Sequence, residues 1–357
     1  MVIKIKNIEV NKRDNSLNLL RLIFAILVLV GHCYFIPNFE YNLPQPVIYL
    51  ITLAVPLFFV VSGYLITGSA IKNSFKTFLI KRFVRIYPGY FVSSVMVVLL
   101  FAPITYALIH HGFDINSYFS LNPSPIDYLL NCMVFDILTP IGNILTTIQV
   151  NGWNTSTWTL FYEILCYLLI GIVMFLLKKL KLKNYTKIII FLYLFMIFCS
   201  FIIPRPENPP ANFVEEIAYF INFSAIFLGG SILYLIKDKL VFNKKYLSLS
   251  LIFCIIIMTL LNYGFATEIC AIPMTYIVLY LAINLKSPKF IQRNDISYGI
   301  YIYSWPIQIV LTCYYRLYNP NMNVLEFGII SLIIAIAFGL FSWYVVEKPI
   351  LNKVRSI

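Results

Sequence analysis

Residues 17–36 read LNLLRLIFAILVLVGHCYFI, twenty positions in which only Asn18, Arg21 and His32 are strongly polar. About 20 helical residues cross the ~30 Å hydrocarbon core of a bilayer, so this stretch predicts a transmembrane helix. Similar runs recur along the chain, and ten are read: 17–36, 47–67, 86–109, 158–177, 187–203, 214–236, 246–263, 266–285, 296–315 and 324–346. Inside lipid each must satisfy its own backbone groups, which makes them helices. The expected fold is all-α, a polytopic bundle of about ten spans forming one domain over residues 1–357. Composition agrees. Of 357 residues, 60% are hydrophobic and 12% charged, with a mean hydropathy of +0.83, whereas soluble domains carry ~25% charged residues. A disordered chain, a disulfide scaffold and an ordinary cytosolic enzyme are excluded. The seven cysteines have no C-x-x-C spacing and lie almost all in apolar runs, Cys132 excepted. They read as small packing residues. Residues 1–15 are polar, and no cleavable signal is read there.

The charge ledger orients the bundle. Of the 27 Lys and Arg, 24 fall in alternate segments: residues 1–16, the second–third, fourth–fifth, sixth–seventh and eighth–ninth connections, and the C-terminus. The opposite side holds Arg205 and Arg316, and Arg21 lies within the first span. By the positive-inside bias both termini of this multi-pass protein are expected in the cytoplasm; abundant Ile, Lys, Asn and Tyr hint at a bacterial source, and with it an inner-membrane location is expected. The net charge of +12 therefore reflects topology. No contiguous basic face or nucleic-acid motif accompanies it, and no nucleic-acid partner is expected. Residues 110–157 form a long outer loop with no Lys or Arg, and its apolar stretch 128–138 is expected against the bilayer surface.

An ionisable group inside a span is costly and by default marks function. Arg21 and His32 are eleven residues apart, three turns plus about 20°, so they share one helix face about 16 Å apart along the axis. Glu163 enters the fourth span at a depth similar to that of His32. A carboxylate that orients an imidazole is a recurring acid–base device. The residues equally allow Arg21 as an interface anchor and His32 as a hydrogen-bonded core residue. Glu268 reads as solvated at the edge of the eighth span. His110 and His111 are adjacent, with no ligand spacing around them, so they read as interfacial and no metal is expected. Arg82 and Arg85 sit at i and i+3, two guanidinium forks that on a helix would suit a phosphate or pyrophosphate. Basic residues beside a span are also ordinary.

In chain order, these residues resemble the acyltransferase-three family of integral membrane acyltransferases. Arg21-x10-His32 is similar to its R-x10-H, and residues 58–65, FFVVSGYL, to its FFxxSGFL. Residues 82–88, RFVRIYP, resemble RxxRIxP, and WTLFYE at 158–163 resembles WxLxxE. SYGIY at 297–301 and EKP at 347–349 resemble SYxxY and the terminal E-[RK]-P. Many members have histidine after SYxxYLx where this chain has Ser304, so a role for that second histidine does not transfer. No esterase-like domain is expected after the tenth span, unlike in the longer members.

The resemblance implies transfer of an acyl group, most often acetyl, from cytoplasmic acyl-CoA as co-substrate to a hydroxyl of a cell-surface or lipid-linked sugar. No permanently bound cofactor is expected. His32 would be the base and Glu163 its partner. Arg21, Arg82 and Arg85 would hold the CoA phosphates. Ser62, Gly63, Trp158, Tyr298 and Tyr301 would shape the substrate tunnel. Membrane lipid surrounds such a protein, and its oligomeric state stays open, a homodimer included. Two rivals stand beside this reading. A glycan or solute transporter predicts broken helices and internal inverted symmetry, neither of which is evident. A scaffolding subunit gives the Arg21–His32 register no purpose.

Overall fold

The computed structural model describes residues 3–4, 16–37, 43–136, 138–150, 152–203, 212–261 and 266–354. Lys6, Lys12, Arg13, Arg205 and Arg355 of the charge ledger lie outside these. Every one of the ten predicted segments contains helix. Among the described residues, seven helical stretches are long and apolar enough to cross a membrane, judged by length and composition: Leu17–Phe35, Gln45–Lys72, Phe75–His110, Thr155–Lys179, Tyr185–Ile202, Phe213–Leu235 and Val324–Val354. The helices Lys244–Leu260, Ala271–Asn284 and Ser297–Tyr318 occupy the other three predicted segments.

Two segments differ from the apolar-run reading for clear reasons. The second divides into helices Gln45–Thr52 and Ala54–Lys72. Pro56 has no N–H to give the carbonyl four residues back, at Thr52, so the ladder breaks there. The third starts at Phe75 rather than 86. Lys76, Lys81, Arg82 and Arg85 extend the helix beyond its apolar part, and hydropathy sees only that part.

The chain divides into two compact units. One comprises residues 1–24, 52–82 and 162–294, the other residues 25–51, 83–161 and 295–357. The first is built around helix Phe213–Leu235, most of which is buried. Lipid provides no hydrophobic drive between helices, so close packing through small residues takes its place. This helix supplies Ser224, Ala225, Gly229, Gly230 and Ser231. A Cβ on Gly63 of helix Ala54–Lys72 would lie 1.9 Å from the Phe227 carbonyl oxygen, and one on Gly230 would lie 2.1 Å from that of Val60. The paired glycines let two backbones touch, and Phe59 stacks on Phe223 beside them at 4.3 Å.

The second unit centres on helix Ser297–Tyr318, packed against Val324–Phe341 where Gly299 meets Gly339. The predicted outer loop is folded here. It carries helices Ile115–Phe119, Pro125–Cys132 and Ile144–Thr147, the second opened by a Ser124/Asp127 capping box. Those hydrogen bonds from Ser124 hold the Asp127 carboxyl below its usual range. Tyr118, Tyr128, Cys132, Ile141, Ile148 and Trp153 of this segment are all buried, and that burial raises the Cys132 thiol. Its apolar stretch does leave Leu130, Met133, Val134 and Leu138 exposed.

Gly63→Ala should force the two helices apart and lower the thermal unfolding temperature in detergent, since overpacking costs about 1–3 kcal/mol. Gly112→Ala, with nothing within 4 Å of the added carbon, should leave that temperature unchanged.

Candidate active site

The site residues fall into both units, and each has its own neighbours. In the first unit, Glu163 lies one turn into helix Trp158–Lys179. Its Oε1 accepts a hydrogen bond from Ser62 Oγ at 2.7 Å and one from Tyr167 OH at 2.5 Å. Tyr167 is four residues on, the spacing at which helical side chains meet. The Arg82 guanidinium stands 6.0 Å from the Tyr167 ring centroid, at the reach of a cation–π contact. Ser62, Arg82, Glu163 and Tyr167 therefore form one polar group, and motif residues from three sequence segments meet in it. Gly63, next to Ser62, faces helix Phe213–Leu235. Arg21 is half-buried in its helix.

His32 belongs to the second unit. Its ring meets Trp305 edge to face, with centroids 4.8 Å apart and planes at 82°. Nδ1 is shielded from solvent and has no hydrogen-bond partner among the described residues. One turn along, buried Gln308 donates from Nε2 to the Leu29 carbonyl at 3.0 Å and to Cys33 Sγ at 3.1 Å. Helix Ser297–Tyr318 thus grips the His32 helix by one ring and one amide.

The same helix holds the segment that leads into helix Trp158–Lys179. Asn154 Nδ2 donates to the Ile302 carbonyl at 3.1 Å, and Trp305 Nε1 donates to the Gly152 carbonyl at 3.0 Å. Tyr301 OH donates to the Ser156 carbonyl and sits 2.6 Å from Thr159 Oγ1. Trp158 is half-buried at the start of its helix. Tyr298 OH donates to the Ile86 carbonyl at 2.6 Å.

Arg85 and Arg82 share helix Phe75–Met96, as the spacing anticipated. Their surroundings differ. The Arg85 fork is taken by two carboxylates, Asp295 at 2.6 Å and Glu347 at 2.8 Å, and its guanidinium carbon stands 5.7 Å from the Tyr298 ring centroid. Ser297 Oγ donates to Asp295 Oδ1 at 2.5 Å and Ser342 Oγ to Glu347 Oε1 at 2.9 Å. The RxxR, SYxxY and E-K-P segments converge on this cluster.

Sequence reasoning passed over Asp295, Tyr167, Trp305 and Gln308. Tyr167 was readable from its i+4 relation to Glu163, and Asp295 as one of only 15 acidic residues, two before Ser297. Glu268 needs correction. It is buried rather than solvated, because the short helix Ala266–Ile269 packs against Phe213–Leu235 and Lys244–Leu260. Thr267 Oγ1 donates to its Oε2 at 3.0 Å, and Tyr193 OH to its carbonyl at 2.7 Å. His110 packs on Tyr106, and His111 exchanges a hydrogen bond with Tyr318 at 3.1 Å. Among the described residues no three metal-ligating side chains gather.

A family model described as an acyltransferase domain, that of the acyltransferase-three family, matches residues 14–344. The chain belongs to this family. It is also 28% identical over 353 residues to an O-acetyl transferase of Shigella phage Sf6, covering 96% of this chain and 97% of the phage protein. No solved structure matches it. The six motifs now have places in a folded acyltransferase, and three of them share the Arg85 cluster.

Arg85→Met leaves two inward carboxylates without their cation, and breaking such a pair costs about 3–5 kcal/mol. The variant should unfold well below wild type in detergent. Asp295→Asn added to it should recover part of the loss, and a double-mutant cycle over the two sites reads their coupling.

Proposed function

We propose that this acyltransferase is an integral membrane O-acetyltransferase with about ten spans and both termini in the cytoplasm. It moves acetyl from acyl-CoA to a hydroxyl of a cell-surface or lipid-linked sugar. The observation that carries the reading is the family match over residues 14–344, joined to His32 in its R-x10-H motif with Nδ1 shielded beside Trp305 and unpartnered among the described residues. A buried imidazole nitrogen without a partner costs stability, and a reacting hydroxyl would supply one. The length and identity shared with the phage O-acetyl transferase support acetyl as the group and oxygen as the acceptor.

CoA is a large polyanion, so its phosphates stay at the basic cytoplasmic face while the pantetheine arm reaches inward. Arg82 is the phosphate ligand of the RxxR pair, with Arg21 assisting. Arg85 already faces two carboxylates, which would oppose a phosphate. His32 takes the proton of the acceptor hydroxyl as its oxygen attacks the thioester carbonyl. The carbon–sulfur bond then breaks, and the CoA thiolate recovers a proton. Glu163, fixed by Ser62 and Tyr167, is the second residue of the reaction, in the role that the WxLxxE resemblance gives it. Cys33 follows His32 but points about 100° away on the helix, so direct transfer is preferred to an acyl-enzyme.

A positioned general base contributes about 10²- to 10⁴-fold. His32→Ala should lower acetyl transfer from acetyl-CoA by that factor while still inserting as a folded protein, with thermal unfolding measured alongside to account for the lost ring contact with Trp305. The surface glycan of cells carrying it should lose the acetyl mass increment. Full transfer by this variant would overturn the base assignment. Glu163→Gln keeps the shape of the carboxylate but not its charge, and it should lower kcat more than it changes KM for acetyl-CoA.

A further inference from the structure

An open groove of about 550 Å³ lies in the first unit, lined by Tyr246, Leu249 and Phe253 of helix Lys244–Leu260 and by Ile272 and Tyr276 of helix Ala271–Asn284, with Lys239 at one end. No motif residue of the acyl-transfer reading lines it. We propose that this groove binds an anionic phospholipid, with the acyl chain along the two helices and the phosphate headgroup at Lys239.

Three features support that occupant. The shaft is apolar and opens outward: Tyr246, Leu249 and Phe253 are 48%, 52% and 43% exposed, and a lipid tail has the chemistry to cover them. The end is cationic. Lys237, Lys239, Lys244 and Lys245 stand within nine residues against a single acid, Asp238, in the connection that leaves helix Phe213–Leu235, which is long and apolar enough to cross a membrane, and basic residues beside such a span attract anionic headgroups. Lys237 is placed over the Tyr234 ring at 4.3 Å, and Lys239 is the lysine that lines the groove.

That end is also built rather than loose. Tyr276 OH donates to the Val241 carbonyl at 3.0 Å and accepts from the Asn243 N–H at 3.1 Å. Phe242 stacks on the Tyr276 ring at 5.0 Å. Asn243 caps the next helix by accepting from the Tyr246 N–H at 2.8 Å. The residues just after Lys239, 241–243, are thereby fixed against Tyr276, which lines the groove. A single charge at one end of an apolar channel matches a lipid better than a soluble anion, which would leave the channel empty.

Full-length protein released from nanodiscs of equal phosphatidylglycerol and phosphatidylcholine, and weighed by native mass spectrometry, tests this. Wild type should retain phosphatidylglycerol in preference. Exposed Lys239→Gln should lower that preference roughly fivefold, with thermal unfolding confirming its fold. Ser250→Trp, which fills the groove, should remove the retained lipid. Equal retention of both lipids by wild type, or an undiminished preference in Lys239→Gln, overturns the proposal. So does a dimer that Ser250→Trp converts to monomer, which would give the groove to a second copy of the chain.

Discussion

The Arg85 guanidinium, gripped by Asp295 and Glu347, is the contact on which the interior of its unit depends. It joins segments 210 and 262 residues apart at a place where a single unpaired charge would be costly. The hydroxyls of Ser297 and Ser342 donate to the same two carboxylates. The second donation has a local cause. Residues Ser342–Glu347 form a π-helical turn, whose i to i+5 register brings Ser342 Oγ to the Glu347 carboxylate. Such turns are rare and concentrate at functional sites. The wider turn and the charge cluster are one feature.

Elsewhere the same shortage of polar solvation is met by small residues and by side chains that bond to backbone. The Gly63–Gly230 contact allows two helices to approach at backbone distance, and Ser231 Oγ donates to the Phe227 carbonyl beside it at 3.2 Å. Asn154, Tyr298, Tyr301 and Trp305 each reach a main-chain carbonyl on another segment. These bonds hold irregular chain such as residues 152–157 in place without a core of their own. The approach to Trp158, residues 152–157, is held by helix Ser297–Tyr318.

Helix locations were legible because hydropathy reports directly on the bilayer's demand for apolar length. Seven stretches meet that demand outright. Helix Ser297–Tyr318 carries six tyrosines, a glutamine and an arginine among its 22 residues, and its polarity reflects the neighbours it binds rather than lipid. Composition reports surroundings only on average, which is why Glu268 was misread. An acid at the edge of an apolar run is solvated unless tertiary packing encloses it, and packing between distant helices leaves no local trace. Asp295 escaped for the same reason. The Glu163–Tyr167 pair was within reach, since both lie on one helix at a fixed spacing. The fold of residues 110–157 was not, because its core is scattered aromatic residues without period.

Ser304 stands where the SYxxY pattern of the resemblance continues to a histidine. It is buried, and its Oγ donates to the Tyr301 carbonyl at 3.0 Å. A hydroxyl bonded back to its own helix has its donor in use and no accessible basicity. It therefore adds nothing to proton transfer, and under the acyl-transfer reading the acid–base chemistry falls on His32 alone. What helix Ser297–Tyr318 offers His32 instead is the next residue, Trp305, a rigid ring fixed through its indole N–H to Gly152. An imidazole flanked by a fixed aromatic edge has fewer ring orientations open to it. Lost chemistry at position 304 is thus compatible with retained geometry at position 32.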